Sequence, residues 1–180
     1  MPTVVIPYRG DAKRRVSSQL RAAVALAMLG DVVDAALAVG HVVVVTDDPS
    51  VVAPEAEVVE DPGGGQGAAV AAALAQLDGP VLVVNADLPA ATPAALRALA
   101  EAGLALVEAR DGSTNALSLP DPALFAPLYG PASAERFRRH ARFATVPIPE
   151  LQADVDADGD LELIGLTLGP RTRALLAVPA

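Results

Sequence analysis

Basic side chains are concentrated near the start of the sequence, in a loop that follows a short apolar run. Five of the 13 lysines and arginines fall within the first 21 positions: Arg9, Lys13, Arg14, Arg15 and Arg21. Lys13 is the only lysine, and Gly10 in the same loop lets backbone N–H groups approach a phosphate. The loop therefore predicts a polyphosphate site. A solvated turn before a helix would account for the same residues.

A second loop, Asp61–Gly67, carries four glycines in seven positions and opens a helical segment. A helix N-terminus behind a glycine loop is suited to bind an anion or the edge of a base. The loop is not a Walker A motif, because no Gly-Lys-Ser/Thr follows it. A flexible connector is the alternative. The candidate nucleotide-binding residues here are Gly63, Gly64, Gly65 and Gln66.

Three aspartates form a candidate metal site. Asp87 comes directly after an apolar run, and Asp154 and Asp156 alternate in an extended segment that places both on one side. Carboxylate oxygens suit Mg²⁺, which often binds one or two carboxylates together with substrate phosphates. The acidic segment is not an EF-hand, since its twelfth position is Gly165 rather than Glu. A turn aspartate and an acidic surface turn remain the alternatives.

Two further loops offer contacts for a second substrate. Thr114 and Asn115 supply hydroxyl and amide groups at a strand start, and Gly130 and Ser133 open a helix. That helix carries a second basic cluster: Arg136, Arg138, Arg139 and Arg142. The two loops could hold a phosphate or a carboxylate, or Ser133 could simply be a helix N-cap. The two histidines, His41 and His140, are interpreted as structural or solvated.

Composition limits the function classes. The chain has 180 residues, 52% of them hydrophobic, and a net charge of −9, which predicts one folded domain spanning residues 1–180 and argues against nucleic-acid and anionic-membrane partners. With no cysteine and two histidines, thiolate and multi-histidine metal sites are excluded. No apolar run approaches a membrane span and no signal peptide is evident, so a cytoplasmic location is expected.

Short apolar runs alternate with Ala/Leu-rich segments, which predicts an α/β fold: a Rossmann-like, mainly parallel sheet with helices on both faces. The predicted strands are Thr3–Pro7, Val42–Thr46, Glu57–Val59, Val81–Asn85, Leu104–Glu108, Thr114–Leu119 and Ala144–Ile148. Thr114–Leu119 is expected to be antiparallel because no crossover helix precedes it. The predicted helices are Ser17–Val39, Gly67–Leu77, Pro93–Ala102, Ser133–Arg142, Leu161–Leu168 and Arg171–Val178. Ligands of such sheets bind beyond the carboxyl ends of the strands.

The ordered set of motifs resembles the phosphoenolpyruvate/2-phospho-L-lactate guanylyltransferases of coenzyme F420 biosynthesis, a branch of the GT-A-like nucleotidyltransferases. The resemblance covers nearly the whole chain. It rests on Ala12–Val16, Gly63–Gly67, Ala86–Pro89, Gly112–Leu117, Tyr129–Ser133, Asp154–Asp156 and Leu168–Thr172.

This resemblance implies transfer of GMP from GTP to the phosphate of phosphoenolpyruvate or 2-phospho-L-lactate, with release of pyrophosphate and with Mg²⁺ as cofactor. It implies that Lys13 and Arg15 hold the GTP phosphates, with Lys13 and Asp87 catalytic. It implies a metal bound by Asp87, Asp154 and Asp156. The implied acceptor region contains Thr114, Asn115, Gly130 and Ser133.

The sequence departs from the family pattern at a few positions. Arg14 stands where serine is usual, Gly65-Gln66-Gly67 where Gly-Leu-Asn is common, Ala132 where glycine is usual and Phe137 where histidine is frequent. The bacterial character of the composition favours phosphoenolpyruvate as acceptor. Two other functions stay open: a molybdenum-cofactor or sugar-phosphate nucleotidyltransferase, and a non-catalytic nucleotide-binding regulator. Handover of product to the next enzyme of the pathway is a further expectation.

Overall fold

The computed structural model describes residues 1–9, 20–155 and 167–177. Within them the chain forms one seven-stranded mixed sheet in the order β3-β2-β1-β4-β6-β5-β7. The strands are β1 Thr3–Pro7, β2 His41–Thr46, β3 Glu57–Glu60, β4 Val81–Val84, β5 Ala105–Glu108, β6 Thr114–Leu119 and β7 Ala144–Thr145. Each predicted strand is present, and the predicted α/β architecture is confirmed.

Strand β6 is antiparallel to both of its neighbours, β4 and β5, whereas the other pairings among the described strands are parallel. The expectation of an antiparallel addition is therefore confirmed. The reversal has a structural consequence: the start of β6 lies beside the end of β4, where the backbone N–H of Asn85 donates to the carbonyl of Asn115 at 3.0 Å. Residues that begin β6 thus reach the same sheet edge as residues that follow β1, β3 and β4.

The described helices are α1 Leu20–Leu37, α2 Gln66–Leu74, α3 Pro93–Glu101, α4 Ser133–His140, α5 Pro149–Gln152 and α6 Pro170–Leu176, with 3₁₀ turns at Pro49–Val51 and Pro122–Leu124. Helix α3 begins as its sequence indicates, since the Thr92 hydroxyl accepts from the N–H of Ala95 at 3.1 Å and Pro93 occupies the first turn. The predicted helix Leu161–Leu168 falls mostly outside the described residues, as does the start of Ser17–Val39.

Helices cover both faces of the sheet, and successive residues of β1 show why. Val4 and Ile6 point to one face, where they join the core cluster that contains Leu29 of α1. Val5 points to the other face, into a cluster with Val70 of α2 and Phe137 of α4. Strands buried on both faces read as continuous apolar runs rather than alternating ones.

Two local predictions need correction near the end of the chain. The strand predicted to run to Ile148 stops at Thr145. Pro147 has no N–H to extend the ladder, and Ile148 instead donates back to the carbonyl of Val146 at 3.2 Å. Helix α5 was not predicted, because four residues are too few to show a helical period.

Helix α6 is held against α1 by an aspartate. The carboxylate of Asp31, a residue only 3% exposed, accepts from the backbone N–H groups of Arg171 and Thr172, each at 2.9 Å. These are donors that the first turn of a helix leaves without an intrahelical partner. The Arg171 side chain also pairs with Asp34 on the surface of α1. The C-terminal helix is therefore an integral layer of the fold.

None of the described helices is long and apolar enough to cross a membrane.

Candidate functional site

A cavity of about 140 Å³ lies at the sheet edge where β1, β3 and β4 end. Its walls are mostly apolar, and the hydroxyl-bearing ring of Tyr8 contributes to them. Burial raises the pKa of Tyr8, with Asp48 and Asp47 adding to the effect, so the phenol stays protonated at neutral pH. The polar residues around the cavity are Arg9, Asp61, Gln66, Asn85 and Asp87. An apolar slot with a few converging polar groups is the usual form of a small-molecule site.

Arg9 and Asp61 join the first and third loops of this edge. The guanidinium donates through both Nε and one terminal nitrogen to the Asp61 carboxylate, the second contact at 2.9 Å. Asp61 also accepts from the N–H of Gly63 at 2.8 Å. The Arg9 hydrogen bond holds the pKa of Asp61 below its usual range, despite the opposing effect of burial. Asp61 was not predicted to be a site residue, although it lies two positions before the glycine run.

The glycine loop takes a conformation that favours glycine at three successive positions. Gly63, Gly64 and Gly65 have φ of 79°, 85° and 95°. A side chain on Gly63 or Gly65 would meet no atom within 4 Å, so the backbone angle rather than crowding requires glycine there. Gly65 is the N-cap of α2 and supplies no side-chain cap. The first N–H groups of α2 are therefore left for another acceptor.

Amide side chains connect the glycine loop to the start of β6. Gln66 Nε2 donates to Asn85 Oδ1 at 2.6 Å, and Asn85 Nδ2 donates to the carbonyl of Thr114 at 3.3 Å. Asn85 was not chosen as a site residue in the sequence analysis. Its signal was its position directly after a buried strand at the ligand edge.

The structure brings Asp87 and Asp154 onto neighbouring stretches of backbone. The N–H of Val155 donates to the main-chain carbonyl of Asp87 at 3.1 Å. Asn115 Nδ2 donates to Asp154 Oδ1 at 3.4 Å and to the carbonyl of Leu151 at 3.1 Å. Oδ1 of Asp87 is buried.

Several predicted site residues lie outside the described part of the chain. They are Lys13, Arg14, Arg15 and Asp156. Among the described residues no group of three or more acidic, histidine or cysteine side chains is placed to hold a metal ion. Two of the three aspartates of the predicted metal site, Asp87 and Asp154, are described, and the ligand set stays a prediction.

Thr114, Asn115 and Ser133 are buried at 2%, 1% and 0% exposure, at the start of β6 and of α4. Ser133 Oγ donates to Thr114 Oγ1 at 2.9 Å. The alternative that Ser133 is an N-cap is wrong: the N-cap of α4 is Ala132, and Ser133 is the first helical residue. Gly130, shortly before α4, has a backbone φ of 117°, in the left-handed region.

The basic cluster of α4 is largely engaged in holding its own surroundings. Arg136 donates to main-chain carbonyls of Leu128, Tyr129 and Pro131, which fixes the loop before the helix. Arg138 pairs with Glu108 and Glu135, and Arg139 pairs with Glu135. These contacts favour a structural role for the three arginines.

Both histidines are exposed, in keeping with the solvated role interpreted from the sequence. His41 lies at the start of β2 and contacts Glu57 at 2.9 Å, and His140 lies at the end of α4.

Ala132 is the one described non-glycine residue with a left-handed backbone, at φ 54° and ψ 33°. We expect Ala132→Gly to raise the free energy of unfolding by about 0.5–1 kcal/mol, because glycine removes the Cβ strain of that conformation. Urea unfolding measures the change. The matched control, Ala98→Gly on the exposed side of α3, should lower it by about 1 kcal/mol. A loss of stability in both variants would contradict the strain argument.

The chain is similar to known proteins along nearly its whole length. Residues 19–144 match the MobA-like NTP transferase domain. A phosphoenolpyruvate guanylyltransferase from Streptomyces scabiei is 36% identical, over 97% of this chain and 95% of its own length. A 2-phospho-L-lactate guanylyltransferase from Natrialba magadii is also 36% identical, over 88% of this chain and 80% of its own length. The chain belongs to the phosphoenolpyruvate/2-phospho-L-lactate guanylyltransferase family. The resemblance drawn from the sequence motifs is thereby confirmed.

Solved structures agree on the fold of this guanylyltransferase family member. A nucleotidyl transferase from Methanothermobacter superposes with a TM-score of 0.68 at 17% identity, covering 98% of both chains. A 2-C-methyl-D-erythritol 4-phosphate cytidylyltransferase from Thermus thermophilus superposes with a TM-score of 0.56 at 19% identity, covering 99% of this chain and all of the other. At such identities the likeness establishes the nucleotidyltransferase fold alone.

Proposed function

We propose that this protein transfers GMP from GTP to the phosphate of phosphoenolpyruvate, with release of pyrophosphate, as a step of coenzyme F420 biosynthesis. The observation that carries the proposal is full-length similarity to named guanylyltransferases. Relatives named for phosphoenolpyruvate align over 97% of the chain, those named for 2-phospho-L-lactate over 88% or 89%. The longer coverage favours phosphoenolpyruvate as acceptor over 2-phospho-L-lactate.

The nucleotide half of the site consists of the cavity and the glycine loop. The apolar walls suit a base, and the N-terminus of α2, which follows the glycine loop directly, contributes Gln66 to the cavity. Lys13 and Arg15 are proposed to neutralise the phosphates, as the family pattern implies. The Arg9–Asp61 pair holds the first and third loops together and so fixes the mouth of the cavity.

The described aspartates fit a hard divalent cation. Asp87 and Asp154 supply carboxylate oxygens from adjacent backbone segments, which is the ligand type that Mg²⁺ prefers. We propose that Asp87, Asp154 and Asp156 hold Mg²⁺, which when bound would neutralise phosphate charge in a protein of net charge −9. Asn115 supports this arrangement by fixing the Asp154 carboxylate through its amide N–H.

The transfer itself makes small demands on acid–base chemistry. An oxygen of the acceptor phosphate attacks the α-phosphorus of GTP, and the bond from that phosphorus to the bridging oxygen of the β-phosphate breaks. The electron pair leaves with pyrophosphate, and the product is a diphosphate diester. Because the attacking oxygen is already anionic, no general base is required. The residues contribute by positioning the two substrates and by compensating charge.

The acceptor is proposed to bind beside the start of β6 and α4. Thr114, Asn115, Gly130 and Ser133 all lie there, and the Thr114–Ser133 hydrogen bond joins the two elements. Since these side chains are buried, their effect on the acceptor would come largely from shaping the adjacent backbone. Delivery of the product to the next enzyme of the pathway remains a prediction.

Mass analysis of products tests the proposal. The purified protein is incubated with Mg²⁺ and each pair from GTP, ATP or CTP with phosphoenolpyruvate or 2-phospho-L-lactate. We expect GTP and phosphoenolpyruvate to give the guanosine diphosphate diester together with pyrophosphate. Formation of product from CTP, or failure of GTP to react with either acceptor, would instead support a related nucleotidyltransferase. Binding of GTP without turnover of any acceptor would support a nucleotide-binding regulator.

A further inference from the structure

The hydrogen bonds around Asn85 fix the orientation of two side-chain amides. The carbonyl of Thr114 can only accept, so the group of Asn85 that faces it at 3.3 Å must be the NH₂. Asn85 Oδ1 therefore faces Gln66. Gln66 must in turn present its own NH₂ to that oxygen, at 2.6 Å. A backbone carbonyl of β6 thus determines which way the Gln66 amide points.

The fixed orientation leaves Gln66 Oε1 on the side of the amide away from Asn85. Gln66 lines the cavity at the strand ends, and among the described residues no donor reaches Oε1. Two other side-chain acceptors of the cavity, Asp61 and Asn85, differ. Asp61 already accepts from Arg9 and Gly63, and Asn85 Oδ1 already accepts from Gln66.

A base in this cavity would therefore meet an oriented acceptor at Gln66. The Watson–Crick edge of guanine presents two adjacent donors, the N1–H and the 2-amino group. Adenine presents an acceptor at N1 and no donor at position 2, and its single donor on that edge is the 6-amino group. A site built to accept a hydrogen bond discriminates against a ligand that lacks the donor, because the acceptor is then left unpaired. An acceptor at Gln66 that lies opposite positions 1 and 2 of the purine would therefore favour guanine, since adenine has no donor at either position.

We propose that Gln66 is a specificity-determining residue that accepts a hydrogen bond from guanine, and that Asn85 is a positioning residue that orients it. The inference rests on the proposed function, since it assumes that the cavity receives the base of GTP. Gln66 would contact the base directly, and Asn85 would act only by orienting the Gln66 amide.

The first test is Gln66→Leu. With phosphoenolpyruvate saturating, kcat/KM is measured for GTP and for ATP by pyrophosphate release. The preference for GTP should fall by about tenfold or more, through a higher KM for GTP, while the KM for phosphoenolpyruvate stays within about twofold. Gln76→Leu, the same change at an exposed site just past the end of α2, should leave the preference unaltered. An unchanged preference in Gln66→Leu overturns the inference.

Variants of Asn85 separate orientation from mere packing. Asn85→Leu removes the acceptor that Gln66 uses, so the preference for GTP should fall about as far as in Gln66→Leu. Asn85→Asp gives up the donor to the Thr114 carbonyl but retains an acceptor oxygen for the Gln66 NH₂. The Gln66 amide therefore keeps its orientation, and the preference should stay within about threefold of the parent. Equal loss of preference in Asn85→Asp and Asn85→Leu would contradict the positioning role, whatever their absolute rates.

Direct binding makes failure of this inference distinct from failure of the proposed function. Calorimetric titration with GTP and with ATP, in the presence of Mg²⁺, needs no turnover. If the parent protein turns over no acceptor yet binds GTP more tightly than ATP, and Gln66→Leu removes the difference, the inference stands while the proposed reaction fails. If the parent binds both nucleotides equally, the inference fails.

Discussion

Asp87→Asn should lower the rate of pyrophosphate release from GTP by about 1,000-fold while leaving the fold intact. The substitution keeps the shape of the side chain but removes the negative charge proposed to hold the metal ion, and with it the compensation of phosphate charge in the transition state. The fold should survive because the contact to Val155 uses the main-chain carbonyl of Asp87 rather than its carboxylate. Rate measurements over a range of Mg²⁺ concentrations, with thermal unfolding alongside, check both statements.

The control for this variant is Asp78→Asn, which makes the same chemical change at an exposed position between α2 and β4. Its rate should remain within about twofold of the parent, as expected for a solvated charge far from the reacting groups. If Asp87→Asn retains a comparable rate at every Mg²⁺ concentration, the assignment of Asp87 as a metal ligand is removed.

The largest expected effect on stability belongs to Asp31→Asn. Asp31 accepts from two backbone N–H groups of α6 while nearly fully buried, and α6 has no cap from its own N-cap residue, Gly169. An asparagine keeps one acceptor oxygen but turns an NH₂ group toward the other donor. We expect the free energy of unfolding to fall by about 2–3 kcal/mol, measured by urea denaturation.

Asp34→Asn provides the comparison, since Asp34 contacts the same helix through the exposed Arg171 side chain. The two side chains of that pair are 54% and 46% exposed, so its loss should cost less than about 1 kcal/mol. Equal destabilisation by the two substitutions would show that the buried backbone contacts of Asp31 are not what holds α6.

Most of the fold could be predicted from the sequence because most of its strands are short, nearly continuous apolar runs. β4 is Val-Leu-Val-Val, buried at every position, and the sequence around α3 contains both its cap, Thr92, and its first-turn proline. Where the prediction failed, the deciding groups were local and small. Pro147 ended β7 early, and the four residues of α5 carry too little pattern to be seen.

Only some of the site residues could be predicted from the sequence. Asp87 could be placed at the ligand edge by the rule that ligands bind at strand ends, since it follows the apolar strand β4. Asp154 was selected from its acidic segment and from the family resemblance. Asn85 and Asp61 could not be selected in this way. Their importance comes from partners 29 and 52 residues distant, Thr114 and Arg9, and such pairings depend on strand order rather than on spacing along the chain.

Because β6 runs in the reverse direction, its first residues reach the ligand edge of the sheet, and the two proposed substrate regions come from different parts of the chain. Everything proposed to contact the nucleotide directly comes from the first 90 residues, whereas the region proposed for the acceptor comes from residues 114 to 133. Substitutions confined to the later stretch could exchange one phosphorylated acid for another without disturbing guanine recognition. A lineage could therefore acquire a new acceptor by recombination downstream of α3, and the nucleotide half would be inherited unchanged.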